Sequence, residues 1–312
     1  MRKTISIAMA SYNGAKYIRE QLDSLYNQTL LPDEIVVCDD NSTDGTIDIL
    51  DEYHKSKGLK YYVNNPGLGV NANFYRALSL CTSDYIMICD QDDIWYPRKV
   101  EITYKKLLSI DDGKPSVVSS QYDDGDASGN INYSAPVKTD SFGYFATLMG
   151  SNNSQGCTMM LNRPLLDIVM KNKDKINGVM YDGYIGFTAA ILGNKYNLGE
   201  HLMIYRHHQN NVVAKETDNS IIRKIQQCSL YRRSIPEARI DKLANIYRLY
   251  KDGDIPVETR ILLDKIERMS YTNSFYKRLL IIMTIQEYSV WQKVRIFTES
   301  SIIKFLRIII PK

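Results

Sequence analysis

The sequence predicts an α/β fold, a mostly parallel sheet flanked by helices, followed by a C-terminal helical extension. Three observations predict it. Short runs rich in Ile, Val and Tyr alternate with helix-like stretches over the first 125 residues. Polar and acidic residues gather where those runs end, the place where ligands collect in parallel sheets. After about residue 216 the strand-like runs fade and apolar residues recur at helical spacing.

The elements follow in chain order. Thr4–Met9, Glu34–Cys38, Lys60–Val63, Asp84–Cys89 and Ser116–Ser119 read as strands bounded by turn residues. Helices are expected over Lys16–Asn27, Thr46–Lys57 and Val70–Leu80, where Leu22 and Leu25, Leu50 and Tyr53, and Phe74 and Ala77 share faces. Residues 120–155, polar and rich in turn formers, read as a long surface loop. A strand at Gly156–Leu161, a helix at Pro164–Lys171, a helix beginning near Asp182 and a strand at Leu202–His208 complete this part. Beyond it, Ile221, Ile225 and Cys228, then Ile240, Leu243 and Tyr247, then Leu279, Ile282 and Met283 mark helix faces.

A chain of 312 residues is one large domain or two. The charge divides it: residues 1–215 carry 21 basic and 25 acidic side chains, residues 216–312 carry 18 and 11. The overall +3 argues against a nucleic-acid partner. The N-terminal MRKTISIAMASYNG does not read as a secretory signal and no apolar run approaches membrane-spanning length. The five cysteines have no metal-ligand spacing, so reduced, buried thiols and a cytoplasmic location are expected.

The chemistry concentrates at strand ends. Asp90-Gln91-Asp92-Asp93 follows an apolar strand, and carboxylates so close repel unless a cation joins them. Mg2+ or Mn2+, itself bound to phosphates, suits them. A solvated acidic turn is the plainer alternative. Asp39 and Asp40 close the second strand and are placed to hydrogen-bond a base or ribose, with Asp44 as a helix cap. Ser11, Tyr12 and Asn13 close the first, Tyr12 offering a stacking face. Together these ends make a nucleotide-sized site. Gly67–Ala72 fits the G-x-G-x-x-A dinucleotide pattern but follows the third strand, not the first. Its milder reading is a turn whose Asn71 or Asn73 approaches a ligand.

The run ASYNG, CDDNSTDGT, NPGLGVNANFYRAL and DYIMICDQDDIWYPRK, continued by GCTMMLNR, YDGYIGFTAAILG and LMIYRHHQNN, resembles family 2 glycosyltransferases over about residues 3–213. The nearest pattern is that of bacterial rhamnosyltransferase-like members that build surface polysaccharides. The resemblance implies a GT-A nucleotide-diphospho-sugar transferase fold over residues 1–215, with residues 216–312 as the helical extension. It implies inverting sugar transfer from a UDP-sugar or dTDP-rhamnose to a lipid-linked or oligosaccharide acceptor, with Mn2+ or Mg2+. Ser11, Tyr12 and Asn13 match the nucleotide-binding strand end, and Asp39 the base-contacting acid with Asp40 beside it; Asn73, from the turn read above, is expected to join them at the nucleotide. Asp90 and Asp92 match the DxD motif, Asp92 as the direct metal ligand; His208 matches a histidine that completes the metal site. Asp182 matches the catalytic base, although by local sequence alone it reads as a helix cap. Tyr181 and Gly183 depart from the usual histidine and tryptophan, which leaves the acceptor pocket open.

From Lys277 to Lys312 seven basic and two acidic residues alternate with apolar clusters. Such a segment can lie on the anionic inner face of a membrane, or pack on protein, including a second copy of the chain. Two rival functions stand beside glycosyl transfer: a nicotinamide oxidoreductase, resting on Gly67–Ala72, and a non-enzymatic sugar-nucleotide-binding assembly subunit.

Overall fold

The computed structural model describes residues 2–134, 155–208, 237–253 and 255–271. The helix faces expected at Ile221–Cys228 and Leu279–Met283, the basic tail from Lys277, and part of the expected long loop lie outside the described residues. The chain divides into two compact units, one of residues 1–141 and 153–208, the other of 142–152 and 209–312.

In the first unit the order is β1 (Ile5–Ser11), α1 (Ile18–Tyr26), β2 (Glu34–Asp39), α2 (Thr46–Lys57), β3 (Lys60–Val63), α3 (Val70–Leu80), β4 (Tyr85–Asp90), β5 (Ile94–Trp95) and α4 (Lys99–Ile110). It continues with β6 (Ser116–Gly125), β7 (Ile131–Ser134), β8 (Met159–Asn162), α5 (Arg163–Asn172), α6 (Tyr181–Leu192) and β9 (Asn194–Arg206). The strands form one sheet in the order β3-β2-β1-β4-β8-β6-β9-β5, with β7 on β6. β3, β2, β1 and β4 run parallel, β8 runs antiparallel to both β4 and β6, and β6 and β9 are parallel again.

Burial on both faces explains the apolar strands. One face carries Ile5, Ile7, Met9, Val37, Met87 and Cys89, packed with Leu22 and Leu25 of α1, Leu50 of α2 and Leu107 of α4. The opposite face of β1 and β2 packs on α3, whose Phe74, Ala77 and Leu78 are buried. α6 is apolar nearly all round and is correspondingly buried from Tyr184 to Ile191. α5 begins at Asn162, whose side chain accepts from Leu165 N, with Pro164 in the first turn.

Two expectations are corrected here. The stretch after Ser119 is not loop at its start: β6 runs on to Gly125 and turns into β7. Its Asp123 is held inside the sheet, accepting from Tyr96 Oη at 2.5 Å and pairing with His201 at 2.5 Å, so an apolar-run criterion misses the strand. For the same reason β9 begins at Asn194, well before the apolar Leu202. α4 was absent from the sequence reading and covers the sheet with Val100, Tyr104 and Leu107. Cys38, Cys81, Cys89 and Cys157 are buried free thiols, and Cys228 lies outside the described residues.

In the second unit α7 (Glu237–Tyr250) and α8 (Val257–Tyr271) pack on each other. Ala244, Ile246, Tyr247, Leu262 and Leu263 are buried, Tyr247 Oη donates to Asp264 at 2.7 Å, and Arg248 and Lys251 both pair with Glu267. Among the described residues, no helix is long and apolar enough to cross a membrane.

The turn from α6 into β9 passes directly over the start of β6. A Cβ at Gly193 would lie 2.1 Å from the Pro115 carbonyl oxygen, which is backbone and cannot swing away. Gly193→Ala is therefore expected to lower stability by roughly 1–3 kcal/mol, the range for overpacking, measured by denaturant unfolding.

Candidate active site

The sheet register sets three strand ends level. Ser11 on β1 pairs with Asp39 on β2, and Ala10 pairs with Asp90 on β4. The Asp39 carboxylate is fully buried and accepts from Ser11 Oγ at 2.7 Å, Ser42 Oγ at 2.7 Å and Ser42 N at 2.8 Å. Asn13 and Asn41 take left-handed backbone, at φ 48° and 68°, which asparagine tolerates. Asn13 Oδ1 accepts from Thr43 N at 2.9 Å and Asn13 N donates to Ser42 Oγ at 2.8 Å, lacing the first strand end to the second. Asp44 accepts from Thr46 N at 3.1 Å at the start of α2. The Tyr12 ring is exposed above this cradle. The Tyr12 backbone exchanges two hydrogen bonds with the Gln91 side chain, at 2.9 and 3.0 Å, and Gly14 leaves room for that amide, since a Cβ there would meet Gln91 Oε1 at 2.2 Å.

Asp40 and Asn73 face the chain itself. Asp40 accepts from Leu68 N at 2.6 Å, Gly69 N at 2.8 Å and Asn64 Nδ2 at 2.7 Å. Buried Asn73 donates to Cys38 O at 2.9 Å and accepts from Asn64 Nδ2 at 2.8 Å. The G-x-G-x-x-A run thus begins as a short loop, Gly67–Gly69, clamped by Asp40 beyond β3, the edge strand of the sheet, and ends in the first turn of α3.

The acids beyond β4 split in direction. Burial first, then the charges of Asp92 and Asp182, pushes the Asp90 carboxyl up to about 7, so Asp90, Asp92 and Asp182 share one electrostatic site. Asp92 turns toward His208, its Oδ2 lying 2.8 Å from Nε2. The His208 ring stacks on Tyr17 at 4.5 Å between centroids. Asp93 turns inward, fully buried, and is held well above the usual carboxylate range by burial and by Asp90 and Asp92. Lys99 is buried nearby, lowered to about 8 by desolvation, and donates to Cys157 O at 2.7 Å rather than to the Asp93 carboxyl, whose two oxygens have no hydrogen-bond partner among the described residues. The Lys99 ammonium also lies 4.3 Å over the Trp95 ring.

Two donor sets can be compared as cation sites. Asp90, Asp93 and Cys157 bring ligand atoms within 4.8 Å of one another, but burial holds the Cys157 thiol well above its ordinary range, and Lys99 already supplies positive charge there. Asp90, Asp92 and His208 offer oxygens and one imidazole, with Asp92 and His208 in direct contact and Asp90 coupled to Asp92 by charge, but among the described residues only the first set brings three ligand atoms that close together. Arg206, two residues before His208, is buried, paired with Glu20 and lying 5.4 Å over the Tyr17 ring.

Asp182 sits in the first turn of α6 and is not its cap, a position taken by Met180. Its Oδ1 accepts from Gly183 N at 2.6 Å. Burial raises its carboxyl above the ordinary value, against backbone hydrogen bonds that include Gly156. The residue that stands for the usual histidine, Tyr181, is buried and stacks on Phe74 at 4.1 Å.

Comparison with known proteins extends these observations. The family model for glycosyl transferase family 2 matches residues 6–168. The dTDP-rhamnosyl transferase RfbG of Shigella flexneri is 30% identical over 251 residues, covering 76% of this chain and 83% of that protein. A chondroitin synthase of Escherichia coli is 34% identical over 109 residues, 34% of this chain and 16% of that protein. Among solved structures, TarS of S. aureus in complex with UDP-GlcNAc superposes with a TM-score of 0.59 at 16% identity, covering 95% of this chain and 79% of that one. The mannosyltransferase PcManGT of Pyrobaculum calidifontis, in complex with GDP-Man and Mn2+, gives 0.52 at 16% identity, covering 98% and 81%.

The sequence reading missed Asn64, Gln91 and Tyr17, which touch the predicted site residues from behind. Their signal is position alone, each lying within a few residues of a strand end. The Asp40 clamp yields a direct test. Asp40→Ala is expected to speed amide hydrogen exchange at Leu68 and Gly69 by about 10- to 100-fold, the loss of a hydrogen bond to a charged group.

Proposed function

The chain belongs to glycosyl transferase family 2, and from that premise we propose that it transfers a sugar with inversion from a nucleoside-diphosphate donor to a hydroxyl of a growing surface glycan. The enzyme class and the GT-A fold are established by the family match and the structural likeness. The direction of the chemistry is the proposal, and one observation carries it: Asp182 shares an electrostatic site with Asp90 and Asp92.

In this reading Tyr12 stacks on the base, Ser11, Asn13 and Asp39 shape its pocket, and Asp40 and Asn73 hold the adjoining loop. Asp92, Asp90 and His208 hold Mn2+ or Mg2+. When bound, that cation neutralises charge on the diphosphate leaving group. Asp182 removes the proton of the acceptor hydroxyl as its oxygen attacks the anomeric carbon. The bond from that carbon to the diphosphate oxygen breaks on the opposite face, its electron pair leaving with the diphosphate. A carboxyl raised by burial suits the base role, because it holds the proton better than a solvated one.

dTDP-rhamnose is the first donor proposed, on the similarity to the Shigella flexneri protein over three quarters of the chain. UDP-sugars are the second. A lipid-linked acceptor is proposed, with residues 1–215 as the catalytic domain and the basic residues 216–312 holding it at the inner membrane face or against a second copy. The oxidoreductase alternative loses its footing, since the family match is to glycosyl transferases and the glycine run joins the edge strand β3, not the first strand, to its helix.

A donor panel with Mn2+ or Mg2+, scored by nucleoside-diphosphate release, is expected to select one donor and to fall silent with chelator. Asp182→Asn should cut turnover by about 10²- to 10⁴-fold, the contribution of a general base, while dTDP or UDP binding measured by calorimetry stays unchanged. Full turnover in that variant removes Asp182 as the base. The base must be ionised, so kcat/KM should fall as pH drops through an acid limb lying above about 3.9, the ordinary aspartate value. A limb at or below that value contradicts the assignment.

A further inference from the structure

Helix α6 starts without help from its own cap. Met180 offers no side-chain acceptor, yet the first N–H groups of a helix need partners. One is supplied from α3. Tyr181 N donates to Asn71 Oδ1 at 2.7 Å, and Asn71 Nδ2 donates to Val179 O at 3.4 Å. A single amide thus grips the chain on both sides of Met180, immediately before Asp182. One turn further along α3, buried Phe74 stacks on Tyr181 with 24° between the ring planes. The Tyr181 hydroxyl lies over Gly156, where a Cβ would come within 2.1 Å of it. The first turn of α3 is itself fixed to the end of β2 through Asp40 to Gly69 N and Asn73 to Cys38 O.

We propose that Asn71 is a positioning residue that caps α6 from α3 and so fixes the Asp182 carboxylate at the acceptor side of the donor. The inference rests on the reading of Asp182 as the base. Asn71 touches no reacting atom; it acts through the backbone of Tyr181. The Phe74–Tyr181 stack gives the departure from the usual histidine a physical role, since an aromatic ring at 181 completes the contact between the two helices. Asn71 and Asn73, read from the sequence as residues that approach a ligand, divide the work. Asn73 binds the strand ends and Asn71 binds the catalytic helix.

Asn71→Leu keeps the bulk and removes the acceptor. Its turnover, followed as nucleoside-diphosphate release from dTDP-rhamnose or UDP-GlcNAc, whichever donor is active, should fall roughly 10- to 100-fold, the effect of misplacing a catalytic group by about 1 Å. Binding of dTDP or UDP with Mn2+ should be unchanged. Asn71→Asp, which still accepts from Tyr181 N, should recover most of the rate. In an Asp182→Asn background Asn71→Leu should cost nothing further, because there is no base left to misplace. Should the leucine variant not fold, Asn71→Ser, too short to reach Tyr181 N and tolerant of water, gives the same reading. A wild-type turnover number in the leucine or serine variant, or an equal loss with and without Asp182, overturns the inference. Full activity in Asp182→Asn alone overturns the base assignment instead, so the two failures are told apart.

Discussion

Like charge at the end of β4 is the constraint around which the catalytic unit is arranged. Three carboxylates within four residues, with Asp182 brought up beside them, cannot all be ionised in a dry place without compensation. The chain separates them by direction. Asp93 turns inward, where burial holds its carboxyl well above the usual range, Asp92 goes outward to His208, and Asp90 stays between. Lys99 belongs to the first turn of α4 and rests against Met203 of β9 as well as Cys157 O. Desolvation lowers this lysine as it raises the aspartate, so burial disfavours charge on both. The outward acids, Asp90 and Asp92, are the ones proposed for a ligand cation.

How much of this could be read from the sequence depends on whether a segment's polarity follows its burial. β3, α2 and α3 are where periodicity places them, because their apolar residues face the sheet and their polar ones face water. β6 and β9 hide themselves, since Asp123, Asn197 and His201 are enclosed within or beside the sheet. Among site residues, the acidic strand ends stood out from composition and spacing. Asp182 did not. It is one aspartate ahead of an apolar helix, and only the family pattern distinguished it from a cap. Asp40 and Asn73 were visible as polar residues at a strand end, but their orientation toward Leu68, Gly69 and Cys38 is a fact of tertiary structure. Asn71 was visible for the wrong reason, inside a glycine pattern that suggested a cofactor.

The second residue of the DxD triplet also has a defined role. Gln91, between Asp90 and Asp92, is tied to the backbone of Tyr12, so the acids proposed to hold the metal and the ring proposed to stack on the base are fixed relative to one another. Glycine at 14 is the sequence cost of that bridge. Tyr17, a few residues on, repeats the pattern by holding His208 against the same side of the sheet. The segment after β1 thus holds Gln91 and His208, on either side of Asp92, while α3 serves the start of the helix that carries Asp182.

The level strand ends have a consequence for how the protein comes to be active. Ser11, Asp39 and Asp90 are far apart along the chain and are set level by the pairing of β1 with β2 and β4, while Asp182 lies on α6 and His208 follows β9. For such pairings the intervening loops must close before any contact rewards them. Every residue of the proposed nucleotide cradle is present once residue 90 has been added, whereas the proposed base and the histidine follow more than 90 residues later. Building the proposed cradle and completing the proposed catalytic set are thus separate milestones in the maturation of one polypeptide.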